Sequence, residues 1–182
     1  MFNPDYQVIF ILGDPGMGKS TLIERIATIL SRSESSNMAE LGKEMVPFPI
    51  ILRNIKYDSI TNWESLIDAY FQEPHLKDLD YHKNKTLVLE LFERGQAFVL
   101  MDGLDEISSP QLRRNLSHVV KDGLNQYKKG YWWFTTRIVG FNQEKFFLTP
   151  EGEKNNPDNI FITDIFREQS GDQKSEELEV PL

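Results

Sequence analysis

Short apolar runs alternate along this chain with longer stretches in which apolar residues recur every three or four positions. Five runs have the length and the β-branched or aromatic content of strands: 8–12 (Val-Ile-Phe-Ile-Leu), 47–52, 97–101, 131–135 and 159–162. The run at 97–101 is continuously apolar, the pattern of a central parallel strand covered on both faces. The run at 47–52 begins at a proline, which suits a strand's first residue or an edge.

Helical spacing fills the gaps. Residues 21–30 place apolar side chains at 22, 23, 26, 27, 29 and 30. Residues 60–71 open at Thr61 or Asn62 and align Trp63, Leu66, Ile67 and Tyr70. Residues 86–95 stop at Gly95. A further helix starts at Ser109-Pro110 and turns Leu112, Leu116, Val119 and Val120 inward. The Ser-rich 31–38 and the polar 74–84 read as loops, and a helix is expected from Asp164. Strands alternating with helices predict an α/β fold of three layers around a mainly parallel five-stranded sheet. Residues 1–168 form the predicted core, and the acidic 169–182 a disordered tail.

The first strand and the first helix are joined by Gly13-Asp14-Pro15-Gly16-Met17-Gly18-Lys19-Ser20-Thr21, which fits G-x-x-x-x-G-K-[ST] throughout. In that pattern backbone N–H groups from Gly13 to Thr21 cradle phosphates, Lys19 reaches the β and γ oxygens, and the Ser20 hydroxyl binds Mg²⁺. A helix N-terminus aimed at the phosphates adds its positive dipole end. A complete phosphate loop with a strand before it and a helix after it predicts nucleoside triphosphate binding.

Composition narrows the surroundings. Twenty Lys and Arg against 28 Asp and Glu give a net charge of −8, which disfavours a general binder of nucleic-acid backbones. The chain has no cysteine, so disulfides and Cys-containing zinc sites are excluded, and a reducing compartment is compatible. No apolar run approaches the ~18 residues a membrane span needs. The first residues lack the basic-then-apolar layout of a signal peptide. The expectation is a soluble cytoplasmic protein.

Three further positions carry candidate chemistry. Asp102 directly follows the central apolar run, where one carboxylate beside a phosphate loop is enough for Mg²⁺, which keeps several waters. Asp105 and Glu106 come next, in reach of a γ-phosphate, where one of them would orient or deprotonate a water. Arg137 ends the run at 131–135, and ligands of parallel sheets gather at the C-terminal ends of strands. Its guanidinium either forks onto γ-phosphate oxygens or pairs with Asp102, Asp105 or Glu106. Both hold if it leaves a carboxylate for phosphate when nucleotide arrives.

Gly13 to Thr21, the run Phe98-Val-Leu-Met-Asp102-Gly-Leu-Asp-Glu106 and Phe134-Thr-Thr-Arg137 together resemble a NACHT domain, of the signal-transduction ATPases (STAND class) related to AAA+ machines. Pro49-Ile-Ile-Leu-Arg53 resembles that family's second strand, and the likeness covers about residues 6–168. It implies that Gly13, Asp14, Pro15, Gly16, Met17, Gly18, Lys19, Ser20 and Thr21 hold nucleotide, with Ser20 and Asp102 on Mg²⁺. It also implies that Asp105 and Glu106 handle water and that Arg137 senses the γ-phosphate. Binding and hydrolysis of ATP or GTP would switch an autoinhibited monomer to a homo-oligomer. Ile138 stands where a proline commonly follows the arginine. The chain stops where the family's helical and winged-helix lid begins, so a core truncated before that lid, missing a lid or effector partner, is implied.

No base-reading motif of the GTPase kind is visible, which favours ATP. Two alternatives stay open: a non-hydrolysing nucleotide-binding or interaction fragment, and a small P-loop kinase. His75, Asp78, Asp80 and His82 have no zinc spacing and read as a solvated loop. Trp132 and Trp133 should face opposite helix layers, as neighbours on a strand do. Phe2 and Tyr6 precede the first strand, near where an adenine would lie.

Overall fold

A computed structural model describes residues 8–32, 44–137 and the backbone of 160–164. Five strands, β1 (Val8–Leu12), β2 (Val46–Ile51), β3 (Ala97–Asp102), β4 (Tyr131–Thr136) and β5 (Ile160–Asp164), form one sheet in the order β2-β3-β4-β1-β5. Every pairing is parallel, so the predicted α/β architecture holds, with all five strands in it. Asp164 ends β5 instead of opening a helix, and the helix predicted after it lies outside the described residues. So do the tail at 169–182, Phe2, Tyr6, Ile138 and most of the Ser-rich loop.

The order explains the strand sequences. β1 and β3 lie inside the sheet and are fully buried, the environment that their continuously apolar sequences suit. β2 is an edge, paired only with β3, and Pro47 and Pro49 are tolerated there because one side of an edge strand needs no N–H donors. It is partly exposed: Phe48 and Ile50 are buried, and Val46 at its start is exposed.

Among the described residues four α-helices cover the sheet: α1 (Lys19–Ser31), α2 (Trp63–Phe71), α3 (Tyr81–Glu93) and α4 (Pro110–Gln126). On one face Ile23 and Leu30 of α1 pack with Phe98 and Leu100, while Ile29 is exposed. The opposite face carries the larger core, in which Trp63, Phe92 and Trp132 cluster beneath α2, α3 and α4. Trp132 belongs to this core and Trp133 packs with the α1 side, as strand alternation requires.

Local signals set the helix ends. Asn62 and Ser65 form a capping box on α2, with Ser65 N–H donating to Asn62 Oδ1 at 2.9 Å. Ser109 caps α4 ahead of Pro110. α3 begins at Tyr81, five residues before the predicted start. Tyr81 is buried and stacks on Phe71 with ring centroids 4.3 Å apart, so a tertiary contact overrides the polar sequence around it.

Gly95 closes α3 at φ +67°, and a Cβ there would sit 2.5 Å from the Lys129 carbonyl oxygen. Gly95→Ala should therefore lower stability by about 2–5 kcal/mol, left-handed strain and overpacking both contributing. An unchanged urea midpoint would contradict this.

Candidate functional site

The C-terminal ends of β1, β3 and β4 lie side by side, and each delivers candidate chemistry to one cleft of about 310 Å³. Pro15 to Thr21 line it, with Asp102, Gly103, Asp105, Glu106 and Arg137. The fold thus joins stretches more than 80 residues apart, because β4 is inserted between the strand that feeds the phosphate loop and the strand that ends in Asp102. Among the predicted positions, Gly13 and Asp14 lie just outside the lining, beneath Lys19.

The phosphate loop turns directly into α1. Gly18 caps that helix at φ +82°, a conformation open to glycine and strained for other residues. The N–H groups of Gly16, Gly18, Lys19, Ser20 and Thr21 take no partner among the described residues, while Leu22 N–H starts the helix on the Gly18 carbonyl at 2.8 Å. Unpaired donors at the N-terminus of a 13-residue helix are a ready anion cradle. Lys19 Nζ donates to the loop's own carbonyls, Gly13 at 2.7 Å and Asp14 at 3.0 Å. Its ammonium is therefore held at the loop until a better acceptor displaces those bonds.

Asp102 is only 4% exposed. Its Oδ1 accepts the Thr135 hydroxyl, and no cation pairs with it among the described residues. A buried carboxylate without a counter-ion, beside the hydroxyls of Ser20 and Thr21, is an oxygen-only donor set. It fits a hard cation such as Mg²⁺, which needs few protein ligands. No cluster of three or more acidic or His ligands occurs among the described residues, so the fit is to an ion shared with phosphate and water.

The two acids beyond Asp102 lie on a 3-10 turn, Leu104–Glu106, and each is met by an arginine. Arg137 grips Asp105 twice: Nε lies 2.7 Å from Oδ2, and the backbone N–H donates to Oδ1 at 3.2 Å. The Asp105 side chain is 10% exposed, so this pair is partly desolvated. Arg53 reaches Glu106 at 3.3 Å with both side chains more open, 55% and 34% exposed. Such a pair contributes about 0.2–1 kcal/mol and is easily parted. Of the pairings open to Arg137 in the sequence, the one with Asp105 is present.

Sequence reasoning assigned no role to Thr135, Thr136 or Arg53, whereas Arg137 was a predicted position. Thr135, Thr136 and Arg137 are consecutive and each binds a different part of the site. Thr135 bonds Asp102 and Gly103, the Thr136 carbonyl accepts the Gly13 N–H at 3.3 Å, and Arg137 holds Asp105. The available signal was polarity: two threonines end a strand that is otherwise Tyr-Trp-Trp-Phe. Arg53 follows β2, and its partner lies 53 residues away, beyond any local pattern.

His75, Asp78, Asp80 and His82 lie away from the cleft. His75 Nδ1 approaches the buried Glu73 at 3.8 Å, and Asp80 precedes α3 at φ +41°. No helix among the described residues is long and apolar enough to cross a membrane.

No curated protein matches the chain. The model of the family described as NACHT domain matches residues 7–151, a span that contains the phosphate loop, Asp102, the acidic turn and Arg137. With that match over most of its length, and with the parallel sheet and loop described above, the chain belongs to the NACHT domain family of nucleotide-binding P-loop NTPases.

Proposed function

We propose that this chain binds Mg²⁺ and ATP and hydrolyses the ATP slowly, as the core of a cytoplasmic signal-transduction switch of the STAND class. The observation that carries the reading is the single cleft into which an anion cradle, an unpaired buried carboxylate, two acids and an arginine converge. ATP is preferred to GTP because no GTPase-type base-reading motif accompanies the loop. The lack of cysteine suits a reducing compartment.

Phosphoryl transfer is catalysed chiefly by positioning and by electrostatic stabilisation of the γ-phosphoryl oxygens. The free N–H groups of the loop and α1 bind the phosphates, and Lys19 exchanges two carbonyls for β and γ oxygens. Asp102 and Ser20 hold Mg²⁺, which neutralises charge on the phosphates when bound. Arg137 trades Asp105 for the γ-phosphate, and Asp105 or Glu106 directs the water. In the resting arrangement Lys19, Arg137, Asp105 and Glu106 are each held by another part of the protein, and Asp102 has the Thr135 hydroxyl but no counter-ion among the described residues. Slow turnover follows, because those contacts must break first. A second copy of the chain, a lid or an effector would act by stabilising the exchanged state.

Calorimetric titration with ATP, GTP and their diphosphates, with and without Mg²⁺, tests the reading, with phosphate release followed alongside. ATP should bind more tightly than GTP and more tightly with Mg²⁺ than without. Arg137→Ala should weaken triphosphate by about tenfold more than diphosphate, because only the former offers a γ-phosphate in place of Asp105. Equal losses for both would give Arg137 a structural role alone. Binding without any phosphate release would favour the non-hydrolysing alternative.

A further inference from the structure

Thr135 is fully buried where β4 ends, level with Ile11 of β1, and its hydroxyl has two partners. The Gly103 N–H donates to Oγ1 at 2.9 Å, and Oγ1 in turn donates to Asp102 Oδ1. We propose that Thr135 is a positioning residue that aims the Asp102 carboxylate at the phosphate-bound divalent cation. The proposal rests on the reading of Asp102 given above, and it assigns a role to a buried residue that does not line the cleft.

The direction of the bond is forced. A hydroxyl carries one hydrogen, and the incoming Gly103 N–H occupies one of its lone pairs. Its hydrogen is therefore sent to Asp102 and nowhere else. That bond restrains Oδ1, and the second oxygen has no hydrogen-bond partner among the described residues, in a side chain that lines the cleft. Without the hydroxyl, a 4%-exposed carboxylate at the end of a strand would have no hydrogen-bond donor among the described residues. Partners of this kind behind a metal-binding carboxylate set its orientation and typically change metal affinity by about 10–100-fold when lost.

The same hydroxyl reaches the acidic turn. Gly103 is the residue between Asp102 and the turn Leu104–Glu106, and the Glu106 N–H donates to the Gly103 carbonyl at 3.0 Å. One oxygen atom on β4 thus pins both the carboxylate of β3 and the start of the segment that carries Asp105 and Glu106. A serine supplies the same donor and acceptor. A valine has the shape of threonine and neither function.

The experiment compares affinity for a non-hydrolysable ATP analogue in Mg²⁺ and in EDTA, for the parent, Thr135→Ser and Thr135→Val. The ratio of the two affinities is the readout, because a general loss of structure would lower both. Thr135→Val should reduce that ratio by about 10–100-fold with EDTA binding near the parent's, and Thr135→Ser should keep most of it. If Thr135→Val does not fold, Thr135→Ala removes the hydroxyl without placing a methyl against the Gly103 N–H and carries the same expectation. An unchanged ratio in the valine or alanine variant overturns the positioning role, as does an equal loss in Mg²⁺ and EDTA. A parent that itself shows no response to Mg²⁺ removes the underlying reading of Asp102, an outcome distinct from either.

Discussion

Lys19→Ala is expected to abolish measurable nucleotide binding and to leave the chain folded. The side chain lies half-buried over the phosphate loop, its ammonium bonded to the Gly13 and Asp14 carbonyls at 2.7 and 3.0 Å. Those bonds hold the charge where phosphates would arrive, so little reorganisation is needed for it to take up β and γ oxygens. A hydrogen bond to a charged partner contributes about 1.5–3 kcal/mol, which is about 10- to 150-fold in affinity. The rest of the cleft magnifies the loss. Its lining carries two cations, Lys19 and Arg137, against Asp102, Asp105 and Glu106, and without Lys19 the balance tips further towards repelling a polyphosphate. The fold should survive, because the sheet and both helix layers are built from contacts that Lys19 does not make. Titration calorimetry with ATP and Mg²⁺ measures the affinity, and a thermal melt checks the fold. Equal affinity in the variant and the parent would remove the phosphate loop from the centre of this reading.

What the sequence made legible here was chemistry carried by contiguous residues. The phosphate loop is such a case: strand, turn, Lys19, Ser20 and helix follow one another without a gap, and all of them occur as read. Asp102 was legible because a short, continuously apolar run between helical stretches reads as a buried strand, which places a carboxylate at its end on the sheet's C-terminal rim. Contacts made across the sheet were not. The pairing of Arg53 with Glu106 depends on β2 lying next to β3, and that depends on strand order, which periodicity does not encode. The Thr135 hydroxyl is similar, since threonine is an ordinary strand residue until its neighbour across the ladder is known to end in Asp102. The early start of α3 has the same cause. Tyr81 sits in a polar stretch, and only its stacking on Phe71 makes that stretch helical. Local order is set by neighbours in sequence, whereas the site is completed by neighbours in space.

Glu106→Gln should lower phosphate release by about 10²–10⁴-fold while nucleotide affinity stays near the parent's, whereas Asp105→Asn should act mainly through Arg137. The two acids are one residue apart, and their surroundings separate their roles. Asp105 is 10% exposed and receives both the Arg137 guanidinium at 2.7 Å and the Arg137 backbone N–H at 3.2 Å. Both oxygens of Asp105 are thus turned to Arg137. Glu106 is 34% exposed and is met by one mobile guanidinium at 3.3 Å, an interaction of about 0.2–1 kcal/mol. It can leave Arg53 at small cost and turn into the cleft that it already lines. General-base assistance of this kind typically contributes 10²–10⁴-fold in rate, and glutamine keeps the shape while removing the basic oxygen. Affinity should hold because Glu106 is an acid facing a polyphosphate, so neutralising it does not weaken binding. Asp105→Asn instead weakens the pairing that Arg137 must leave, so triphosphate affinity should rise more than diphosphate affinity, opposite in sign to Arg137→Ala. Single-turnover phosphate release at saturating ATP, with affinities measured separately, resolves the two. A Glu106→Gln protein that releases phosphate at the parental rate, beside an Asp105→Asn protein that does not, would exchange the assignments and make Asp105 the group that directs water.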